Sequence, residues 1–200
     1  MRLVIDTATP ACSAALINGD DVIAERHELI GRGHAEMLLP LIEDMLDGRR
    51  PDAILIGCGP GSFTGLRVGL AAAHGLAIGW QVPISGFSTL ALLAAGCEGD
   101  GEIAIALHGG HGQLFVQSYD RGPVRPLDAL QSLVPEEAAR VIHAPFVIGS
   151  GAESLVTARG HGQWSDRVPR ASDARFLPLD LGALPPRPIY GRAPDAKPKS

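Results

Sequence analysis

Four consecutive apolar residues, Ala53-Ile54-Leu55-Ile56, are followed at once by a glycine-rich turn and then by a helical apolar pattern. A strand without polar alternation is buried on both faces, which is typical of a parallel sheet covered by helices. The order then repeats, because residues 83–87 are predicted as a strand and residues 89–95 as a helix. This alternation predicts an α/β fold with helices packed on the sheet.

The chain opens with a predicted antiparallel meander. Three strand-like runs cover Leu3–Ile5, Ser13–Ile17 and Val22–Glu25. Asn18-Gly19 lies between the second and the third run and is a strong hairpin signal, because both residues tolerate positive φ. We therefore expect antiparallel strands to precede the parallel ones.

The second half restarts with strand, turn and strand, over residues 103–107 and 114–119, and a later strand is predicted at Phe146-Val147-Ile148. This recurrence predicts two related lobes separated at the glycine-rich stretch Cys97–Gly101. Residues 1–100 are expected to form the N-terminal lobe. Residues 101–200 are expected to form a smaller C-terminal lobe with an irregular tail.

The charge balance argues against nucleic-acid binding by this chain alone. It carries 17 basic and 22 acidic residues, a formal net charge of −5. Proteins that bind nucleic acid unaided usually show a basic surplus, because phosphate contacts dominate the affinity. No such surplus is present.

Cysteine usage and the N-terminus indicate a cytoplasmic protein. Cys12, Cys58 and Cys97 are widely spaced and form no CxxC pair, which is typical of reduced thiols in the cytosol. An aspartate at position 6 comes too early for a signal peptide. No apolar run approaches about 18 residues, so no membrane span is expected.

Two predicted helices are rich in apolar or small residues. The first, over residues 33–46, has an apolar face wider than burial against one sheet requires, and Pro40 is expected to kink it or to mark its true start. In the second, over residues 63–78, small residues recur at every fourth position: Gly65, Gly69, Ala73 and Ala77. Each glycine costs about 1 kcal/mol of helix propensity relative to alanine. Close packing must offset that cost, either against the chain's own sheet or against a partner helix.

The string Gly59-Pro60-Gly61-Ser62-Phe63-Thr64-Gly65-Leu66-Arg67 joins the buried strand to the second helix. Glycines in this position can cradle an anion with backbone N–H groups. The spacing differs from a Walker A loop, since no Gly-Lys-Ser/Thr follows. The alternative is a tight turn in which Ser62 or Thr64 caps the helix.

Asp6 lies in the turn after the first strand, where a carboxylate can hold a cation beside nucleotide phosphates. The alternative is a turn in which Asp6 caps backbone groups. The corresponding turn of the second half, His108-Gly109-Gly110-His111, has no carboxylate. No Cys, Asp or Glu lies close enough in sequence to complete a metal shell around its two histidines. We therefore predict no metal site and no catalytic residue.

Several of these strings together resemble the bacterial TsaB (YeaZ) family. The similarity is dense over residues 1–95 and thin afterwards, and it is carried by residues 3–9, Cys12-Ser13-Ala14-Ala15-Leu16, His34 with Leu38-Leu39-Pro40, the Gly59–Arg67 string and residues 188–194. The resemblance implies an α/β, actin-like ATPase or RNase H-like fold of two lobes, the second reduced. His108-Gly109-Gly110 stands where the family commonly has Asp-Ala-Arg, and the second lobe is short. Both departures weaken any nucleotide role.

The resemblance also implies a function. The chain would be a non-catalytic scaffold or dimerization subunit in the formation of N(6)-threonylcarbamoyladenosine (t6A) in tRNA. It would bind and activate the threonylcarbamoyltransferase TsaD, the ATPase TsaE would join that complex, and the isolated chain would form a homodimer. No direct tRNA binding by the chain alone and no cofactor are expected, although ATP or ADP at the partner interface is a candidate ligand. The competing interpretation is an enzyme acting alone, either an actin-like ATPase or a TsaD-like metallopeptidase.

Two sets of site residues follow from the resemblance and the patterns above. The predicted partner interface lies on the two helices and comprises His34, Met37, Leu38, Leu41, Ile42, Met45, Gly65, Leu66, Gly69, Leu70, Ala73 and Ala77. The candidate nucleotide or anion contacts are Asp6, Thr7, Gly59, Gly61, Ser62, Thr64 and Arg67.

Overall fold

A computed structural model describes residues 1–191. The first sheet has the strand order β3-β2-β1-β4-β5. Its strands are β1 (Arg2–Asp6), β2 (Ala11–Asn18), β3 (Asp21–Leu29), β4 (Ala53–Gly57) and β5 (Ile84–Phe87). The first three form an antiparallel meander, whereas β4 and β5 run parallel to β1. The predicted hairpin is confirmed, because Asn18 pairs with Asp21 and Gly19 adopts a φ of 60°.

The helices of the first lobe are α1 (His34–Leu46), α2 (Phe63–Trp80) and α3 (Thr89–Ala95). Pro40 lies inside α1, so the alternative that this helix begins near Pro40 is wrong. Ser62 is the N-cap of α2, and its hydroxyl accepts a hydrogen bond from the Gly65 N–H at 3.2 Å. The capping interpretation of this serine is therefore confirmed.

The second sheet has the order β11-β10-β6-β7-β8, and β9 pairs with β7 outside that path. Its strands are β6 (Glu102–His108), β7 (Leu114–Arg121), β8 (Val124–Pro126), β9 (Gln131–Leu133), β10 (Phe146–Ile148) and β11 (Gln163–Ser165). Read from β8, it repeats the arrangement of the first sheet: an antiparallel meander followed by two parallel strands.

This repetition confirms the actin-like, two-lobe α/β fold. The helices of the second lobe, α4 (Pro135–Val141) and α5 (Ala152–Arg159), have 7 and 8 residues, against 13 and 18 in α1 and α2. The helices of the second lobe are thus shorter than α1 and α2 of the first.

Helix α3 lies between the two lobes and is buried over its whole length. Its Leu92 packs in one cluster with Val4 and Phe87 of the first sheet, and its Leu90 and Leu93 pack with Ile103 of the second. A 3-10 helix over Ala171–Phe176 fills the same layer. The fold therefore has five layers, with α1 and α2 outermost on one side and α4 and α5 on the other.

After β11 the chain returns to the first sheet. Gly86 and Leu184 form an antiparallel bridge, and the Ile189 N–H donates to the Cys58 carbonyl at 2.7 Å. The segment after β11 therefore packs against the first lobe, although it belongs to the second half of the chain. The division of the chain at residue 100 stays a prediction. Within residues 1–191 no helix has the length and apolarity needed to span a membrane.

Candidate functional site

The Gly59–Arg67 string packs tightly against the turn between β1 and β2. The Ser62 N–H donates to the Ala8 carbonyl at 2.7 Å, and the Thr89 N–H donates to the Gly59 carbonyl at 2.9 Å. A Cβ added at Gly61 would lie 2.1 Å from the Ala8 carbonyl oxygen. Glycine is required there because two backbone segments touch.

The stripe of small residues on α2 faces the chain's own sheet. A Cβ at Gly65 would lie 2.1 Å from the Thr7 carbonyl oxygen, and one at Gly69 would lie 2.3 Å from Thr7 Oγ1. The Thr7 hydroxyl donates to the Gly65 carbonyl at 2.8 Å, and Ala73 is fully buried. Packing within the lobe therefore accounts for the glycines, and their assignment to a partner contact is corrected.

The same correction applies to most of the predicted interface. Only Met37 of that set is exposed, at 44%. The other eleven residues are buried within the chain because they lie on the sides of α1 and α2 that cover the sheet: His34, Leu38, Leu41, Ile42, Met45, Gly65, Leu66, Gly69, Leu70, Ala73 and Ala77. Little of their surface is left for a partner to touch.

The solvent side of α2 is nevertheless apolar over most of its length, whereas that of α1 carries Glu36, Glu43 and Asp44. We define the outer helix face as Ala71, Gly75 and Ile78 of α2, all exposed. Met37 and Leu39 of α1 are also exposed, but they flank opposite sides of the buried stripe of that helix. Ile78 is 79% exposed, and a Cβ at Gly75 would meet nothing within 4 Å. After Arg67, no Asp, Glu, Lys or Arg occurs up to the end of α2. A solvated helix face normally carries charges, so this face is unusual.

Asp6 is enclosed and does not face solvent. Its Oδ1 accepts the Ala8 N–H at 3.0 Å, its Oδ2 accepts the Thr89 hydroxyl at 2.8 Å, and a Cβ at Gly57 would lie 2.3 Å from Oδ2. Burial raises the pKa of the carboxyl to about 6, which the two hydrogen bonds partly oppose. The turn-capping alternative therefore fits Asp6, and the suggestion that it holds a cation beside phosphates is corrected.

A cavity of about 1000 Å³ lies between the lobes. We call it the inter-lobe cleft. It is lined by Ala8, Thr9, Pro10, Gly31, Gly61, Ser62, Phe63, Leu66, Arg67, Leu107, His108, Gly109, Gly110, Phe115, Ser150, Ile189, Tyr190 and Gly191.

Three of the candidate nucleotide or anion contacts, Gly61, Ser62 and Arg67, line the inter-lobe cleft. The other four do not. Asp6 and Thr7 are buried, Thr64 is exposed outside the cleft, and Gly59 lies behind Leu66. Part of the string therefore lines the cleft, whereas the carboxylate expected beside it is buried. A nucleotide or anion contact of these residues stays a prediction.

The rim of the cleft carries a stack of three side chains. The guanidinium carbon of Arg67 lies 3.7 Å from the centroid of the Phe63 ring. The Phe63 and Tyr190 centroids are 5.9 Å apart, with 35° between the ring planes. Both rings are about half exposed. The sequence analysis did not assign Phe63, Phe115 or Tyr190 to any site. These three residues are far apart in the chain, and they come together only because the segment after β11 packs against the first lobe.

No group of three or more His, Cys, Asp or Glu side chains that could hold a metal ion occurs within residues 1–191. His108 lies at the end of β6 and is one of the residues that line the cleft. His111 occupies a 3-10 turn with a φ of 61°.

Comparison with known proteins relates this arrangement to one group of sequences. The model of the family described as TsaD, tRNA N6-adenosine threonylcarbamoyltransferase, matches residues 22–155. The chain is 39% identical to the tRNA threonylcarbamoyladenosine biosynthesis protein TsaB of Escherichia coli over 60% of this chain and 54% of that protein. The aligned part thus spans about half the length of the E. coli protein. The chain is 32% identical to an uncharacterized protein of Mycobacterium tuberculosis over 98% of this chain and 93% of that protein.

Two solved structures from Pseudomonas aeruginosa have the same fold. One is an uncharacterized protein with similarity to peptidase YEAZ, with a TM-score of 0.81 and 28% identity, covering 96% of this chain and 99% of that chain. The other is YeaZ, with a TM-score of 0.77 and 26% identity, covering 94% of this chain and 98% of that chain.

Proposed function

The chain belongs to the TsaB (YeaZ) family, and on that premise we propose that it is a non-catalytic, cytoplasmic subunit of t6A biosynthesis that docks onto the catalytic subunit TsaD and activates it. The observation that carries this proposal is the outer helix face. It is apolar, exposed and free of charge over most of α2, which is the property of a surface that a partner covers.

The small residues of the outer helix face would allow a partner helix to come close. Ala71 and Gly75 project little or nothing into solvent, whereas Ile78 on the same face offers apolar area to bury. Packing of small residues against a facing ridge shortens the distance between helix axes. Docking through α2 is therefore retained in the proposal, but on the side of that helix opposite to Gly65, Gly69 and Ala73.

The match to the TsaD family model supports TsaD as the occupant of this face. Chains of one fold can pair about an approximate two-fold axis, with the same pair of helices contributed by each. The same geometry would allow two copies of this chain to pair when TsaD is absent. We propose that the TsaE ATPase joins the TsaD-bound form, and that the chain does not bind tRNA by itself.

The environment of Asp6 supports the non-catalytic part of the proposal. An actin-like ATPase acting alone needs a carboxylate that can approach a cation in the cleft. Both oxygens of Asp6 are instead engaged by Ala8 and Thr89 in the interior. The isolated chain should accordingly show no ATP turnover.

Docking can be tested with Ala71→Trp, which places a bulky side chain on the outer helix face without entering the core. Co-purification with TsaD should fall by at least roughly tenfold, because the indole would hold the helices apart by more than a packed interface tolerates. The matched control is Ala158→Trp, the same change at an exposed position of α5 in the other lobe. Undiminished TsaD binding by a folded Ala71→Trp variant would refute this interface.

A further inference from the structure

We propose that a second cavity, at the C-terminal end of α3, binds a small oxyanion through three arginines. The cavity has a volume of about 450 Å³ and is bordered by the β7–β8 turn and by the segment that follows β11. We call it the α3 pocket. It shares no residue with the inter-lobe cleft or with the outer helix face, so this proposal is independent of docking to TsaD.

The three arginines that line the α3 pocket come from different parts of the fold. Arg121 ends β7, Arg167 follows β11, and Arg175 lies in the 3-10 helix over Ala171–Phe176. A guanidinium presents its N–H groups as a planar fork that matches the oxygens of a phosphate or a carboxylate. The fold therefore brings together three groups of the kind that recognises oxyanions.

The carboxylates of the pocket offset only part of this charge. Asp173 pairs with Arg167, at 2.9 Å between Oδ2 and Nη2. Glu98, the other acidic lining residue, is exposed, so that solvent screens its charge. Arg121 donates to three backbone carbonyls between residues 98 and 101, which carry no net charge. The lining residues thus have one positive charge in excess, three against two.

Arg175 lacks an acceptor altogether. Within residues 1–191 its guanidinium forms no ion pair or hydrogen bond, and its Nε is buried without a partner. Its one described contact is with the Phe176 ring, whose centroid lies 4.5 Å from the guanidinium carbon. Nearly all buried N–H groups in native proteins are paired, so an unpaired one indicates that an acceptor is missing. An oxyanion in the α3 pocket would supply oxygens to this guanidinium.

The other two arginines are held in place before any ligand arrives. Arg167 donates to the Gly96 carbonyl as well as to Asp173, and Arg121 is fixed by its three carbonyls. Of the five N–H donors of a guanidinium, these contacts leave two free on Arg121. Side chains that are already ordered lose little entropy when they bind, which favours even a small ligand.

The size of the α3 pocket limits the ligand. A volume of about 450 Å³ lies toward the lower end of the range of about 300–1,000 Å³ that is typical of ligand sites. This space fits a compact anion. Inorganic phosphate, a small phosphate ester and a short carboxylic acid share the required oxygens, and the experiment below distinguishes phosphate from carboxylate.

The test is protection of Cys97, which lines the α3 pocket with its Sγ 3.9 Å from Arg167 Nη1. The full chain is treated with a thiol reagent in sodium chloride, in inorganic phosphate and in succinate at equal ionic strength, and the modified Cys97 peptide is quantified by mass spectrometry. A Kd of about 1 mM would slow the labelling about tenfold at about 10 mM anion, because only the unoccupied pocket reacts. Protection by one of the two anions identifies the preferred chemistry.

Two variants change the affinity in opposite directions. Arg175→Gln should weaken binding by at least roughly tenfold and so remove the protection, since it deletes a charge-assisted contact. Glu98→Gln should strengthen binding by about twofold, because it removes a like charge at an exposed position. The matched controls, Arg140→Gln and Glu137→Gln, alter exposed side chains of α4 and should be protected as the wild type is.

Far-UV circular dichroism establishes that each variant is folded, and Glu98→Gln provides the test should Arg175→Gln fail to fold. Absence of protection by both anions would overturn the proposal, as would protection that persists in a folded Arg175→Gln variant or weakens in Glu98→Gln. Protection that is lost in Arg67→Gln would place the anion in the inter-lobe cleft and would overturn it as well.

Discussion

The two small-residue stripes of α2 predict opposite effects for the same substitution in the same helix. Gly69 faces the sheet, where an added Cβ would lie 2.3 Å from Thr7 Oγ1 and 3.3 Å from Ile56 Cδ1. Gly75 faces solvent, where an added Cβ meets nothing within 4 Å. Replacement of either glycine by alanine gains about 1 kcal/mol of helix propensity. Only Gly69→Ala must also displace the helix from Thr7 and Ile56.

The expected difference can be estimated from these contacts. Overpacking costs about 1–3 kcal/mol, and disturbing the bond between the Thr7 hydroxyl and the Gly65 carbonyl costs about 1 kcal/mol more. Gly69→Ala should therefore lower the free energy of unfolding by about 1–3 kcal/mol after the propensity gain. Gly75→Ala should raise it by about 0.5–1 kcal/mol. For a chain of this size the two melting temperatures should then differ by roughly 5 to 12 °C.

The assay is urea unfolding followed by far-UV circular dichroism, with equal m-values as the check that the transitions are comparable. A third variant, Thr7→Ala combined with Gly69→Ala, tests the cause. The double variant should have a free energy of unfolding about 1 kcal/mol higher than the sum of the two single effects predicts. The reasoning fails if Gly69→Ala proves as stable as Gly75→Ala, or if removing the hydroxyl recovers nothing.

Two further predictions follow from buried ionisable groups. Because the folded pKa of Asp6 is about 6 and its ordinary value is 3.8, its contribution to stability is fully present below about pH 4 and is lost as the pH rises through 6. The free energy of unfolding of the wild type, measured relative to Asp6→Asn, should therefore fall by roughly 2–3 kcal/mol between pH 4 and pH 7, and a constant difference would contradict the burial argument. Burial also raises the pKa of Cys12 and Cys58 to about 11 and that of Cys97 above its ordinary value. A thiol reagent at pH 7 should label these three free cysteines slowly in the folded protein and rapidly in urea, whereas rapid labelling of Cys12 without urea would show that β2 is not enclosed.

The sequence specified the first lobe well because its signals are local. The Asn18-Gly19 turn, the unalternating strand before Gly57 and the Ser62 cap each depend on neighbours a few residues away. The second lobe has fewer such signals, although β6, β7 and β10 were predicted. Strands β8, β9 and β11 have three residues each, and α4 and α5 span about two turns, so neither period is sustained long enough to be recognised.

The sequence of α2 does not show which side of the helix packs against the sheet. Two stripes of small residues recur at every fourth position of this helix. One consists of Gly65, Gly69 and Ala73, and the other of Ala71 and Gly75. Only the position of Thr7, in the turn after β1, distinguishes them. A capping turn at Asp6 could be predicted, but its second partner could not, because Thr89 lies 83 residues away in the chain.

The bridge between Gly86 and Leu184 has a consequence for how the protein is made. Strand β5 is the edge of the first sheet, and the segment that covers it is translated about one hundred residues later. A ribosome that has just finished the first lobe therefore displays an unpaired strand edge, which is the kind of surface on which nascent chains associate wrongly. Synthesis that stalls or terminates before Leu184 should leave that edge open for chaperones or for other copies of the same chain.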